Sequence, residues 1–358
     1  MAAPDALLAA LRKQMQYCER AGAPFTAALM AWLSHDWAAG GPVRRLLPQW
    51  PGDPLADAVP LRLAGALHAL VLGGQAPALA ALYPPYVEHF DGARATPVLH
   101  AVFARHDMHL RAFLASAPQT NEPQRSAVLL GGYALVAQHF GLPLALREVG
   151  ASAGLNLLWD RYGYKLGEDR FFGPPRSPVQ LTSDWRGTPP ELPEQIEVAD
   201  RRGCDVAPLS LLDPASALRL TAYVWPEQRE RLARLQAAVG LARRALPAVA
   251  KADAAAWAEQ QLAELPLGRS TVLCHSICWQ YMSPATQERL HAVIEAAGAR
   301  ATAQAPLAWL SFEPPASDPI GPELRLTLWP GGEQRRLARA HPHGDWAEWF
   351  RAPIARDL

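Results

Sequence analysis

The sequence predicts an α/β protein: a doubly wound, mostly parallel sheet of Rossmann-like plan that ends in a C-terminal antiparallel hairpin and is preceded by an all-α N-terminal domain. Three observations predict it. Nearly every apolar stripe from 6 to 140 has helical period; apolar runs suited to strands covered on both faces recur from 144 onward with helices between them; and 324–329 and 335–340 alternate around Pro330-Gly331-Gly332. The boundary falls after the last helix of the first part, giving a helical domain over 1–141 and a sheet domain over 142–358.

In chain order, Leu7, Leu8, Leu11 and Met15 make one helical stripe, Phe25, Leu29, Trp32 and Leu33 a second, and Leu55, Val59, Leu63, Leu67 and Leu70 a third. Gly40-Gly41-Pro42, Gly73-Gly74 and Tyr83-Pro84-Pro85 separate them as turns. Two more helices, 98–114 and 126–140, lead through Gly141-Leu142-Pro143 into a strand that ends at Glu148-Val149. Small residues follow from Gly150 to Gly154, and Leu155, Leu158 and Trp159 then recur at helical spacing, so this stretch reads as strand, tight turn, helix. Further on, 179–184 alternates as a short strand and 196–208 is ambiguous. Helices are predicted over 229–246 and 251–265, a buried strand over 270–278, a helix over 284–297 and another strand over 306–312.

Charge and composition limit the function. The 34 basic and 34 acidic residues cancel, so no global basic field draws the chain to nucleic acid or anionic membrane, and a neutral small substrate or a protein partner fits better. No apolar run approaches the ~20 residues that span a bilayer, and the N-terminus lacks a basic leader with an apolar core, which predicts a cytoplasmic protein that is not bound to membranes. Cys18, Cys204, Cys274 and Cys278 show no CxxC spacing and no second ligand pair, so buried reduced thiols rather than a metal site are expected. Nothing in the sequence sets an oligomeric state.

The turn at 148–156 is the centre of the functional reading. In an α/β sheet it lies at the carboxyl end of a strand, where small side chains let a ligand approach the backbone. Glu148-x-Gly150-x-Ser152-x-Gly154 resembles the first motif of class I S-adenosylmethionine (SAM) methyltransferases, and the order of elements follows their plan. Three strings add a second resemblance: Gln119-Thr120-Asn121-Glu122-Pro123-Gln124-Arg125-Ser126, the turn itself from Glu148 to Leu157, and Tyr223-Val224-Trp225-Pro226-Glu227-Gln228 followed by Arg231. With Cys274-His275-Ser276 and Trp279-Gln280-Tyr281 they resemble, over most of the chain, a bacterial family of uncharacterised proteins, domain of unknown function 2332, whose members look methyltransferase-like in fold.

The methyltransferase resemblance implies SAM as cofactor, with Glu148 near its methionine amino group, Gly150, Ser152, Gly154 and Asn156 along the turn, and Asp184 or its competitor Asp205 at the ribose. Ser152 stands where that motif usually has a glycine. His275 is the candidate proton acceptor, since imidazole suits that role. Ser276, Trp279, Tyr281 and Glu313 are expected on the same rim, with Asn121 and Arg125 closing from the helical side. A bland reading accompanies each: Glu148 as a structural carboxylate, His275 as a hydrogen-bonded core histidine, Asn121 as a helix cap. The alternatives are a SAM-independent reaction on a small metabolite, or ligand binding without catalysis. Gly150-x-Ser152-x-Gly154 also spells a hydrolase elbow, with Ser152, Asp318 and His343 in the order of a triad, but helices rather than strands precede it.

Overall fold

The computed structural model describes residues 5–315 and 321–351. It is a mixed α/β structure in which the chain separates into two compact units, Met1–Thr120 with Leu212–Gln236, and Asn121–Leu211 with Ala237–Leu358. The division falls at Thr120 rather than near 141: the helix Ser126–Phe140 packs on the sheet, and a later helical stretch joins the first unit. No helix among the described residues is long and apolar enough to cross a membrane.

The first unit is helical, and its core gathers Leu11, Phe25, Leu33, Leu63, Leu67, Leu99 and Leu110, each at most 1 % exposed. Its helix Pro24–Ala38 starts at Ala23, which has no side chain able to cap it. Glu227 supplies the cap instead, its carboxylate accepting from Thr26 N at 2.9 Å and Thr26 Oγ1 at 2.7 Å. The Trp225-Pro226-Glu227 string thus has a structural role, placing an anion at a helix N-terminus against donors that would otherwise have no partner. Glu227→Ala should therefore cost about 1–3 kcal/mol, read as a lower urea midpoint; an unchanged midpoint would show that water replaces the cap without loss.

The second unit is built on an eleven-stranded sheet. Its strands are β1 (Leu144–Val149), β2 (Gly163–Leu166), β3 (Arg170–Phe172), β4 (Gln180–Gly187), β5 (Val198–Asp205), β6 (Ala248–Lys251), β7 (Ser270–Ser276), β8 (Leu307–Glu313), β9 (Glu323–Trp329), β10 (Glu333–Ala340) and β11 (Trp346–Trp349). Their spatial order is β3-β2-β4-β11-β10-β9-β8-β7-β1-β5-β6. From β6 to β8 every neighbouring pair is parallel, and β9 and β10 turn back as the expected hairpin. Beyond the hairpin, β11 pairs antiparallel with β10 and parallel with β4, so the sheet runs on into β4, β2 and β3. That extension corrects the expectation of a sheet ending at the hairpin.

All of β1 and β7 is buried, as continuous apolar runs require. Alternation sends their side chains to opposite faces. Cys274 faces the helix Ser126–Phe140, where Tyr133 Oη donates to its Sγ at 3.3 Å, and Glu148 pairs with Cys274 across the ladder. Val149 and Leu273 face the other way, into a cluster with Trp257, Leu290, Ile294 and Trp309. The 251–265 helix proves to be β6 followed by the shorter helix Ala254–Gln261, and the ambiguous 196–208 is β5.

Candidate functional site

The turn after β1 is held in an unusual backbone conformation. Gly150, Ser152 and Gly154 have φ of +69°, +52° and +75°. Glycine takes this region freely, whereas a serine in it carries strain. The strained turn is fastened from several sides. Ala151 N donates to Cys204 O at 2.9 Å, Ser152 N to Asp205 Oδ2 at 3.0 Å and Leu155 N to Asn121 Oδ1 at 2.9 Å. No α-helix follows: Asn156–Arg161 is a 3-10 segment interrupted at Leu158, which corrects the predicted strand-turn-helix, so the turn lacks the row of free N–H groups that an α-helix N-terminus offers.

Two buried groups of this turn are left incomplete. Glu148 is 4 % exposed and Ser152 5 %. Glu148 Oε2 and Ser152 Oγ find no hydrogen-bond partner among the described residues. Glu148 is bonded on its other side by Asn156, whose Oδ1 in turn accepts from Ser126 Oγ at 2.9 Å. Burial pushes the Glu148 carboxyl up to about 8; Arg125 and the Asn156 bond pull it down, and Asp205 pushes it further up. An unpartnered buried oxygen is costly, and two lie together at this turn, which makes it a candidate binding site.

On the opposite face, His275 is locked at both ring nitrogens. Trp309 Nε1 donates to its Nε2 at 3.0 Å, and an indole is a donor only, so Nε2 carries a lone pair and the proton is on Nδ1. Nδ1 meets Glu313 Oε1 at 2.7 Å, and Trp279 stacks on the ring with centroids 5.1 Å apart. Cys278 N also donates to Glu313 Oε1, at 3.1 Å, which leaves Glu313 Oε2 shielded and without a partner among the described residues. Ile277, just beyond β7, has φ +50°, a conformation unfavourable for a β-branched residue and a further sign of a constrained site.

Cys278 lies where the two faces meet. Its Cβ and Sγ stand 2.7 Å from where a side chain on Gly150 would begin, and its Sγ donates to Val149 O at 3.4 Å. Burial raises this thiol well above the ordinary range, Glu313 and Glu148 raise it further, Arg125 opposes them, and Asp205 adds to the rise. Cys278 is therefore a neutral thiol among acids. Together with His275 and Glu313 it forms a trio whose ligand atoms lie within 4.8 Å of one another, close enough to suggest a metal. The Trp309 bond argues against one, because a metal on Nδ1 would have to displace the proton that the bond places there.

The remaining predicted residues distribute as follows. Asp205, ending β5 beside β1, belongs to the site, although its oxygens accept from the backbone of Ser152 and Ala207. Asp184 does not belong: it sits on β4, six strands from β1, or roughly 30 Å at ordinary strand spacing, in an exposed pair with Arg186. Asn121 is a structural partner of the turn. Arg125 ties Ser276 O at 3.2 Å to Pro342 O at 3.0 Å. Tyr281 is 78 % exposed and makes no wall of the His275 cluster. Ser152 has the positive φ of a nucleophile elbow, but no histidine is bonded to its Oγ among the described residues, and Asp318 lies outside them. Trp309 was not expected at the site; its polar atom in an otherwise apolar strand was the signal.

Fold and site together define a mixed α/β protein with a large central sheet and a constrained polar centre at the carboxyl edge of its parallel strands. The chain belongs to a family of uncharacterised proteins conserved in bacteria, DUF2332, whose profile matches residues 8–349. No curated protein and no solved structure matches it.

Proposed function

We propose that the protein is a methyltransferase-like enzyme that binds SAM at the turn after β1 and acts on a small molecule. The observation that carries this reading is the buried carboxylate of Glu148 with Oε2 unpartnered, beside a turn held open at Gly150, Ser152 and Gly154. A cationic ligand offsets the desolvation that keeps this carboxyl protonated, and SAM brings both an ammonium and a sulfonium. Asp205, at the end of the neighbouring strand, is the better candidate for the ribose hydroxyls. When bound, SAM supplies an electrophilic methyl group; the protein's part is to hold it and its acceptor in line.

Isothermal calorimetry with SAM and S-adenosylhomocysteine tests the reading. Both should bind the wild type, and Glu148→Gln should weaken binding by about tenfold or more, the loss expected for a charged hydrogen bond. No heat of binding to the folded wild type would refute cofactor use. Glu148→Gln is a cleaner probe than a change at Gly154, where a new side chain would begin 2.9 Å from Pro247 and 3.0 Å from Val249. One observation favours a second reading, a SAM-independent reaction of a small metabolite: the Cys278 side chain covers the approach to Gly150. Turnover of a metabolite without SAM would support it.

A further inference from the structure

We infer that the carboxyl edge of β7 and β8 holds a subsite for the ammonium group of a small amine, with Glu313 Oε2 as its acceptor and His275 as the positioning residue for Glu313. The inference rests on reading this edge as a small-molecule site and names the class of substrate it takes; it is independent of which cofactor binds.

The argument starts from the division of labour within one carboxylate. Glu313 Oε1 receives two donors, His275 Nδ1–H and Cys278 N–H, whereas Oε2 receives none among the described residues. A carboxylate held by two bonds on one oxygen presents the other in a fixed direction. The Trp309 bond fixes the histidine tautomer, so His275 must donate to Glu313 and has no lone pair left for a substrate proton. This reverses the roles suggested by residue type: the histidine positions and the carboxylate meets the ligand.

Charge sets the ligand class. The acids acting on Cys278 are Glu313, Glu148 and Asp205, with Arg125 opposing them. The unpartnered oxygen of Glu313 calls for a donor, and the carboxylate's own charge favours a donor that carries positive charge. An ammonium group satisfies both demands; an alcohol satisfies only the first.

The test uses the full chain labelled with 15N, following the Cys278 amide and the Trp309 indole N–H while n-butylammonium chloride is added, with n-butanol as the neutral control. The amine should shift both resonances saturably, with Kd of about 1 mM for a ligand of this size, and the alcohol should not. Glu313→Gln is a discriminating variant. Its amide oxygen can keep the bonds from His275 and Cys278 while its NH2 replaces the free oxygen with a donor, so amine binding should fall by about tenfold. His275→Ala should weaken binding severalfold, and His275→Asn, which restores a donor near Nδ1, should recover it. No saturable amine shift in the wild type, or equal affinity in folded Glu313→Gln, would overturn the subsite. Stoichiometric shifts on adding zinc chloride would overturn it in favour of a metal. Calorimetry with S-adenosylhomocysteine is read separately, so loss of the cofactor reading and loss of the amine subsite remain distinguishable.

Discussion

Between pH 5 and 8 the wild type should lose stability steadily, and Glu148→Gln should lose less. The reason is the buried carboxyl at the end of β1. Its folded value of about 8 lies above the ordinary 4.5, so the native state holds a proton that the unfolded chain gives up. Stability from this group is therefore complete below the unfolded value, declines as pH rises toward the folded value, and is flat above it. Each unit is worth about 1.4 kcal/mol, so the whole window from 4.5 to about 8 spans roughly 5 kcal/mol. Glutamine keeps the bond to Asn156 and cannot ionise. Urea unfolding at several pH values decides the matter: parallel stability profiles for the two proteins would show that Glu148 does not hold its proton. The same linkage acts on ligands. A cation that binds the ionised carboxylate should bind more tightly as pH rises from 6 to 7.5, by up to about tenfold per unit, and that slope should vanish in Glu148→Gln.

The second large effect is steric. On the helix Ser126–Phe140, a Cβ on Gly131 would lie 2.1 Å from Trp349 Cη2, and one on Gly132 would lie 2.3 Å from Leu310 Cδ1. These two glycines let the helix press directly on β11 and β8. Alanine at an ordinary helical glycine would gain about 1 kcal/mol from propensity; here crowding decides the sign. Gly131→Ala and Gly132→Ala should each destabilise by about 1–3 kcal/mol net, and both together should prevent cooperative unfolding. A Tm equal to or above the wild type for either would show that Trp349 or Leu310 moves aside freely.

Much of the centre of the sheet was legible in sequence because it depends on local pattern. β1, β7 and β8 are apolar runs bounded by turns, and the hairpin is marked by Pro330-Gly331-Gly332. Adjacency was not legible. β4 was readable as a strand, yet nothing in its alternation says that it pairs with β11 and β2 rather than beside β1, so Asp184 was open to the wrong neighbourhood. The helix Pro214–Ala222 carries no local signal of the unit it joins, and only its packing assigns it to the first unit. Glu148, Asp205 and Glu313 were found because acids that end strands stand out. The inversion at His275 was hidden, since it depends on an indole and a carboxylate that both belong to the neighbouring strand: the alternation that brings Trp309 and Glu313 to one face matters for His275 only once β7 and β8 are known to pair.

The seam between β4 and β11 has a consequence for synthesis. Asp184 and Trp346 are partners in that ladder although about half of the chain separates them. A growing chain that has made β4 holds its pairing edge open until β11 emerges, and contacts of such long range form slowly. Until then, the half-sheet of β2, β3 and β4 has an unpaired edge able to join another nascent chain. The arrival of β11 thus joins the two parts of the sheet and covers the open edge of β4.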